Sequence, residues 1–275
     1  MRRGVVIAVE HIERFFELTG ATAADPFAVV LAHPDDETIG CGSLLQSLGD
    51  VIVIHVTDGA PRNLQDAQRH GFATAQAYAQ ARRRELGAAM AMAGVPPDCL
   101  IPLGHPDQEA AEAMPSLVRE LEPFLERARV VITHAFEGGH PDHDATALAV
   151  HLACRRLARR GAAPSIVEMP LYHAGPGGWV PQRFPEVSSG ELQLFLSPEE
   201  RIRKRAMIAA HETQRETLQA FAIDREVFRL APDYDFAALP NGGNLLYERY
   251  DWGMTGDRWL ALARAAQAAS EFAVA

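Results

Sequence analysis

The chain of 275 residues has few cysteines, and its three (Cys41, Cys99 and Cys154) are widely scattered. This number and spacing exclude a disulfide framework and a Cys-x-x-Cys metal site. No apolar run approaches the roughly 20 residues that a membrane-spanning helix needs. The apolar run Val5–Val9 is too short for the core of a secretory signal peptide. The sequence therefore predicts a cytoplasmic protein.

The chain also lacks an excess of positive charge, since 36 acidic and 26 basic residues give a net charge of −10. A negative field repels nucleic acid and anionic membranes, so we expect neither as a partner. No internal repeat or low-complexity tract divides the sequence. We therefore predict a single domain over residues 1–275, and the sequence leaves its oligomeric state open.

What the sequence does contain is an alternation of apolar runs and helical patterns. The runs typical of buried parallel strands are Phe27–Ala32, Val51–Val56, Leu100–Leu103, Val130–His134 and Ile166–Tyr172. Helical patterns cover residues 9–19, Thr38–Leu48, Ala73–Ala93, Met114–Ala128 and Asp144–Arg160. This order predicts an α/β fold, a Rossmann-like three-layer core over about residues 25–175 with a mostly parallel sheet.

Beyond the predicted core, residues 176–275 have a different pattern, with loops rich in proline and glycine between helices. A helix over Arg201–Ala222 is expected to begin with Ser197 as its N-cap. A closing helix is expected over residues 257–272. We therefore predict a C-terminal helical and loop elaboration of the core.

Two charged motifs follow predicted strands. The motif HPDDE at residues 33–37 directly follows the first strand, and HPDHD at residues 140–144 lies shortly after Val130–His134. Parallel strands would bring both motifs to one sheet edge. Two imidazoles and a carboxylate suit a catalytic zinc ion, and an adjacent carboxylate can accept a proton from water. Helix capping explains either motif alone, but together they predict a metal-dependent hydrolase.

The sequence AHPDDE, followed at a distance by GHPDHDA, resembles the LmbE-like family of metal-dependent N-deacetylases. This family includes the PIG-L enzymes and the deacetylases of mycothiol and bacillithiol biosynthesis. Weaker agreement comes from VTDG at residues 56–59, from Arg82-x-x-Glu85-Leu86, and from Lys204 with His211-x-x-Gln214. The likeness spans about residues 27–215. It implies one Zn²⁺ ion per chain, bound by His33, Asp36 and His143.

The same resemblance implies roles for further residues. Asp35 matches the general base of the family, and His140 matches a histidine that stabilises the oxyanion or protonates the leaving amine. Asp142 would orient His140 or tune its charge. Arg82 matches an arginine that contacts the sugar, and Asp107 matches a substrate-binding acid. The implied substrate is a small-molecule conjugate with an N-acetylglucosamine-like unit.

The sequence departs from the family at one position. In the mycothiol enzyme a tyrosine lies two residues before the matching histidine, whereas this chain has Gly138 there. The local hydroxyl donor to the oxyanion is therefore missing, and another residue or the metal must replace it. The departure weakens the transfer of mycothiol-type substrate contacts but does not affect the three metal ligands.

Several other conspicuous residues have a structural explanation as well as a functional one. We expect packing roles for His55, His134, His151, Trp179, Trp252 and Trp259, and burial of Arg82 alone within the run Arg82–Arg84. His105 and His173 follow strands and are weaker candidates for a pocket. His211 is explained equally well by helix packing or by facing the site. Residues 246–252 fit a lid or a subunit contact.

Three alternatives to N-deacetylation stay open. An amidase acting on a thiol conjugate would use the same fold and release a larger acid. A two-metal phosphoesterase also uses clusters of Asp and His, but it needs more bridging acids than this sequence offers. A non-catalytic sugar-binding module has little use for a free carboxylate beside a metal.

Overall fold

The structure is a computed structural model, and it describes residues 12–186, 190–250 and 252–272. The strands are β1 (Pro26–Leu31), β2 (Asp50–Pro61), β3 (Leu100–Asp107), β4 (Val130–His134), β5 (Ser165–Met169), β6 (Tyr172–Gly175), β7 (Gly178–Pro181), β8 (Leu192–Phe195) and β9 (Arg225–Leu230). The helices are α1 (residues 12–19), α2 (Asp36–Gly40), α3 (Gln65–Arg69), α4 (Ala75–Met92), α5 (Ala110–Leu125), α6 (Pro141–Ala158), α7 (Pro198–Ala210), α8 (Arg215–Leu218) and α9 (Gly256–Phe272).

Seven of these strands form one sheet in the order β3-β2-β1-β4-β5-β9-β8. The first five are parallel, whereas β9 pairs antiparallel with β5 and β8 pairs antiparallel with β9. Strands β6 and β7 form a separate hairpin. The strand order reverses between β1 and β4, which is where ligands bind in open sheets of this kind.

The sheet is buried on both faces because successive side chains of a strand point to opposite sides. In β1, Val30 packs into a cluster with α5, α6 and α9, whereas its neighbour Val29 packs into a cluster with α1, α4 and α7. Both valines are completely buried. The predicted three-layer α/β core with a mostly parallel sheet and a C-terminal elaboration is therefore confirmed.

The ends of two helices agree with the sequence. The Ser197 hydroxyl accepts the N–H of Glu200 at 3.2 Å, and the Glu200 carboxylate accepts the N–H of Ser197 at 2.7 Å. This capping box confirms the predicted start of α7. The closing helix is present as α9. The predicted helix over residues 9–19 is present from residue 12, and its first residues lie outside the described part, as does the run Val5–Val9.

The predicted helix Thr38–Leu48 is wrong, because α2 ends at Gly40 and only a short 3₁₀ turn follows at Leu44–Ser47. Tertiary partners take the hydrogen bonds of this segment. The Lys204 ammonium donates to the carbonyl of Ile39 at 2.7 Å, and Glu226 accepts the N–H groups of Ser43 and Leu44. A buried ion pair of 2.7 Å joins Lys204 to Glu226.

The predicted helix Arg201–Ala222 is also wrong in its length, since α7 ends at Ala210 and only the short α8 follows.

The antiparallel strands β8 and β9 were not predicted. Their short apolar stretches carry no clear periodic signal, and they form because the outer edge of β5 offers backbone partners. No helix in the described ranges has the length and hydropathy to cross a membrane.

Candidate active site

The two charged motifs meet at the edge of the sheet where the strand order reverses. His33 and Asp35 lie between β1 and α2, and Asp36 is the first residue of α2. His140 and His143 lie at the start of α6, which follows β4. Strands β1 and β4 are hydrogen-bonded neighbours in parallel register. Asp107 ends the parallel strand β3 and comes to the same edge.

The three side chains predicted to bind metal form a tight triangle. The Nδ1 atom of His33 lies 3.1 Å from Nε2 of His143 and 3.5 Å from Oδ2 of Asp36, while Oδ1 of Asp36 lies 3.4 Å from Nε2 of His143. Tetrahedral zinc bonds of about 2.0–2.1 Å place neighbouring ligand atoms about 3.4 Å apart. The donor atoms are of the type that zinc prefers, but the two histidines approach different oxygens of Asp36. Among the described residues, the donor sets whose atoms all lie within 4.8 Å of one another are His33 with His140 and His143, Asp36 with His134 and His143, and His33 with Asp107, His140 and Asp142.

Neighbouring carboxylates fix the orientation of His33. Its Nε2 atom lies 3.1 Å from Oδ1 of Asp107 and 3.3 Å from Oδ2 of Asp142. A proton on Nε2 satisfies these carboxylates and leaves the lone pair of Nδ1 pointing into the triangle, as is usual for metal-binding histidines. Burial alone would lower the pKa of His33, but Asp107 and then Asp142 outweigh it and raise that pKa well above its ordinary value, so a metal ion that binds at Nδ1 must displace a proton there.

The charge around the triangle favours a cation. Four buried carboxylates surround it, which are those of Asp35, Asp36, Asp107 and Asp142. The guanidinium of Arg82 pairs with Asp35 and lies 3.9 Å from Asp107. Burial would raise the pKa of Asp36, but His143 and His134 hold it well below the ordinary value. Burial, with His134 nearby, lowers the pKa of His143 to about 3, which keeps this imidazole in the neutral form that binds metals.

Two further histidines, His134 and His140, lie close enough to members of the triangle to offer a ligand atom. The Nε2 atom of His134 lies 3.3 Å from Asp36, but this nitrogen already accepts the N–H of Ala32 at 2.8 Å. Its ring stacks on that of His143 with centroids 4.1 Å apart. His134 therefore supports the triangle from behind, which agrees with a packing role and places that packing directly against the site.

Asp35 lies next to the triangle and is held by Arg82. The Nη2 atom of Arg82 donates to Oδ2 of Asp35 at 2.8 Å, and its Nη1 atom donates to the carbonyl of Gly59 at 2.6 Å. Burial raises the pKa of Asp35, and Arg82 opposes that rise. The Oδ1 atom has no protein hydrogen bond among the described residues, so it is available to a ligand in the cavity.

The motif VTDG also has a structural reason in this contact. Gly59 has a φ of +66°, and a Cβ atom there would lie 2.3 Å from Nη1 of Arg82. Glycine therefore allows the guanidinium to reach Asp35. Arg82 is buried, whereas Arg83 and Arg84 are exposed, which confirms that only one member of this run turns inward.

His140 and Asp142 are placed differently from the expectation that the Asp142 carboxylate orients His140. The Nδ1 atom of His140 instead accepts the backbone N–H of Asp142 at 3.2 Å. The Asp142 carboxylate contacts His33 and accepts the N–H groups of Gln108 and Ala110. Burial, reinforced by His33, lowers the pKa of His140 to about 3, so its Nε2 carries the proton of a neutral imidazole.

These residues lie at the bottom of a cavity of about 690 Å³. We give the name polar floor to six of its buried polar residues, which are His33, Asp35, Asp36, Asp107, His140 and His143. Above them are the aromatic walls, which are Trp179 and Phe221 on one side and Tyr250 and Trp252 on the other. Their ring centroids lie 5.1 Å apart within the first pair and 4.6 Å apart within the second. This size and lining suit a small organic ligand.

Arg82 and Asp107, the two predicted substrate contacts, both line the cavity, but each also has a partner in the protein. Asp107 contacts His33, and its Oδ2 atom lies 3.9 Å from Arg82. Burial would raise the pKa of Asp107, yet His33 holds it below its ordinary value. Both residues therefore support the floor, and a substrate contact from either stays a prediction.

A second layer of buried residues lies behind α2. Glu37 is fully buried, with Oε2 at 3.0 Å from Nε2 of His55 and Oε1 accepting the hydroxyl of Thr38 at 2.7 Å. The same hydroxyl lies 3.1 Å from Nε2 of His211. His211 therefore packs behind the site and does not line the cavity, so its packing explanation is confirmed.

The structure separates the remaining candidates. His105 lies 3.1 Å from Glu120, His173 lies 3.7 Å from Glu137, and neither lines the cavity. His151 packs against aromatic rings, and Trp259 is fully buried in the core, so both packing predictions are confirmed.

The prediction of mere packing for the other two tryptophans is wrong, because Trp179 and Trp252 line the cavity. Of the segment 246–252, Asp251 lies outside the described residues.

The residue that sequence reasoning missed is Tyr172. It lines the cavity, and its ring centroid lies 5.3 Å from that of His143. The sequence did carry a signal, because Tyr172 ends the apolar run predicted as the fifth strand. Tyr172 thus lies at a strand exit, as do the two charged motifs.

The part of the chain that contains both motifs is similar to a known family. Residues 28–154 match the family described as GlcNAc-PI de-N-acetylase (PIG-L). The 1D-myo-inositol 2-acetamido-2-deoxy-alpha-D-glucopyranoside deacetylase of Corynebacterium jeikeium (strain K411) is 29% identical over a 262-residue alignment. That alignment covers 71% of this chain and 79% of the Corynebacterium protein.

Solved structures share the fold at lower identity. The A40926 pseudoaglycone deacetylase superposes with a TM-score of 0.56 at 20% identity, covering 76% of this chain and 99% of that one. The N,N'-diacetylchitobiose deacetylase from Pyrococcus horikoshii gives a TM-score of 0.51 at 19% identity, covering 82% and 90% of the two chains. At these identities the likeness establishes the fold alone.

Proposed function

We propose that this chain, whose residues 28–154 match the family described as GlcNAc-PI de-N-acetylase (PIG-L), is a metal-dependent N-deacetylase. Its substrate would be a small conjugate with an N-acetylglucosamine-like unit, the class named for the Corynebacterium relative. One observation carries the proposal: the triangle of His33, Asp36 and His143 lies at the floor of a cavity, with an available carboxylate oxygen of Asp35 beside it.

The proposed cofactor is a single Zn²⁺ ion held by His33, Asp36 and His143. The chemistry that such an ion supplies when bound is Lewis-acid polarisation of the acyl carbonyl and acidification of water. Asp107 and Asp142 hold His33 with its Nδ1 lone pair directed inward, and the stacked His134 limits rotation of His143. The protein thus presents its ligands already oriented.

The reaction then depends on proton movements that the floor can carry out. Asp35 takes a proton from the attacking water as the oxygen–carbon bond forms at the acyl carbon. The neutral Nε2–H of His140 donates a hydrogen bond to the oxygen that becomes negative. Asp35 returns its proton to the amine nitrogen as the carbon–nitrogen bond breaks, which releases acetate and a free amine.

One feature favours a second candidate within the same chemistry. Leu171 and Ile39 join Phe221 in an apolar cluster that borders the cavity close to the floor. Such a surface would accommodate an acyl group larger than acetyl, as an amidase of a thiol conjugate requires. Identification of the released acid separates the two activities.

The test is a panel of N-acetylated sugars, thiol-precursor glycosides and antibiotic pseudosaccharides, incubated with the zinc-loaded chain and analysed by mass spectrometry. We expect loss of acetyl from at least one sugar conjugate and one bound ion per chain. Release of larger acids only would favour the amidase. Two ions per chain with phosphate-ester cleavage would contradict the proposal and favour a phosphoesterase.

A further inference from the structure

Tyr172 is a cavity-lining residue to which the proposed reaction assigns no role. Its phenol ring lies edge-on to the imidazole of His143, with centroids 5.3 Å apart. On its other side it contacts Trp179 and Phe221, with centroids at 5.7 Å and 6.2 Å. The ring therefore lies where the polar floor meets one of the aromatic walls.

The backbone of Tyr172 is fixed to the segment that carries the second motif. The carboxylate of Glu137 accepts the N–H groups of Leu171 and Tyr172 at 2.7 Å and 3.0 Å. A Cβ atom on Gly139 would lie 1.9 Å from the carbonyl oxygen of Tyr172, so only glycine permits this approach. Residues 137–139 lead directly into α6, and these contacts therefore fix Tyr172 relative to His143.

The hydroxyl of Tyr172 is available to a ligand. Among the described residues it makes no hydrogen bond to the protein, whereas the hydroxyl of Tyr78, which also lines the cavity, accepts the side-chain N–H of Gln214 at 2.7 Å. Tyr250 lies at the rim, half exposed and stacked on Trp252. Within the described ranges, Tyr172 is thus the tyrosine of the cavity that meets both conditions. Its ring contacts a residue of the polar floor, and its hydroxyl has no hydrogen-bond partner in the protein.

Gly138 cannot supply this group in its present conformation. Its φ is +74°, a region that residues with side chains rarely adopt, and a Cβ atom there would lie 3.0 Å from Leu245 and 3.4 Å from Pro240. A side chain starting in that direction would meet Leu245 and Pro240, residues outside the cavity lining. A hydroxyl that reaches the site therefore comes from another strand exit, and β5 is the next one along the sheet.

On the basis of the proposed function, we propose that the hydroxyl of Tyr172 is a catalytic hydrogen-bond donor to the acyl oxygen of the substrate. The Tyr172 hydroxyl would donate to the side of this oxygen that faces the end of β5, and Nε2–H of His140 would donate to the side that faces α6. The donor matters most in the tetrahedral transition state, when that oxygen carries the most charge. Tyr172 keeps its proton throughout.

The test compares Tyr172→Phe with the wild-type chain, both loaded with zinc. The substitution keeps the ring that packs on His143 and removes only the hydroxyl. We expect kcat to fall by about a hundredfold to a thousandfold, the loss typical of one oxyanion donor, with KM and bound zinc unchanged. The matched control is Tyr247→Phe, because Tyr247 is fully buried, lies outside the cavity and has a hydroxyl without a partner.

A binding measurement separates a catalytic donor from a packing residue. Calorimetry should show that Tyr172→Phe weakens a tetrahedral phosphonamidate analogue by a factor similar to the loss in kcat, while the product amine binds as before. Unchanged affinity for the analogue, or a loss confined to KM, would contradict the role of Tyr172 alone. A wild-type chain inactive on every N-acyl sugar would instead contradict the proposed function itself, and the role of Tyr172 with it.

Discussion

The polar floor and the aromatic walls of the cavity are built from different parts of the fold. The floor comes from the exits of three parallel strands, β1, β3 and β4, and each of its residues is at most 8% exposed. The walls come from β7 and from segments after α8 and Leu246, and Tyr250 is 50% exposed. The floor is held by hydrogen bonds within a rigid sheet edge, whereas the walls rest on ring contacts.

This difference suggests that the parallel core fixes the chemistry and that the later segments select the substrate. Changes in the floor should lower kcat or remove the metal. Changes in the walls should mainly alter KM, because the walls contact parts of the substrate that do not react.

The largest effect is expected from His143→Ala. Loss of one ligand should reduce bound zinc well below one ion per chain and lower kcat/KM by about a thousandfold or more. Metal analysis after gel filtration and steady-state kinetics measure both effects. His151→Ala is the matched control on α6, since His151 packs against Tyr234 and Phe236 away from the cavity. Full zinc retention by His143→Ala would exclude His143 as a ligand.

Asp35→Asn should follow. The amide cannot accept the proton of water, so kcat should fall by about a hundredfold to ten-thousandfold while zinc stays bound. In the wild type the base must be ionised, and burial raises its pKa, so activity should fall as the pH drops through that raised value. The Asn variant should lack this acid limb. Near-normal turnover with metal bound would refute the assignment of the base.

Arg82→Gln should have an intermediate effect, a fall in kcat of about tenfold to a hundredfold, as for other supporting residues around metal sites. Arg82 lowers the pKa of Asp35, so its loss should move the acid limb of kcat/KM to higher pH. Arg84→Gln, an exposed change on the same helix, serves as the control. A rise in KM alone would support the sugar contact implied by the family resemblance.

The smallest effect is expected from Trp179→Ala in the walls. Loss of an apolar contact to the substrate should raise KM by about tenfold and leave kcat nearly unchanged. Ile202→Ala, at an exposed position of α7, provides the control. A fall in kcat with constant KM would mean that Trp179 contributes to the chemical step as the floor residues do. That result would contradict the assignment of chemistry to the floor and substrate selection to the walls.

The same division explains what the sequence could predict. One floor motif lies directly after a buried strand and the other a few residues after one, so the order of the strands alone brought residues 33–36 and 140–143 together. The contacts among these residues were harder to infer. The Asp142 carboxylate contacts His33 and not His140, and this depends on the direction of the side chains at the start of α6.

The walls could not be predicted in this way. Trp179 and Trp252 reach the cavity through a hairpin and a loop whose paths depend on tertiary contacts, and the sequence there has no periodic pattern. The helix expected over Thr38–Leu48 failed for a similar reason, because Lys204 and Glu226, distant in sequence, take its hydrogen bonds. Long-range partners overrode local preference at both places.

The most direct test of the central claim is anomalous diffraction at the zinc absorption edge from crystals of the zinc-loaded chain. We predict a single peak in the cavity floor, about 2.0–2.2 Å from Nδ1 of His33, a carboxylate oxygen of Asp36 and Nε2 of His143. Two peaks in the floor, or a single peak that His143 does not contact, would contradict it.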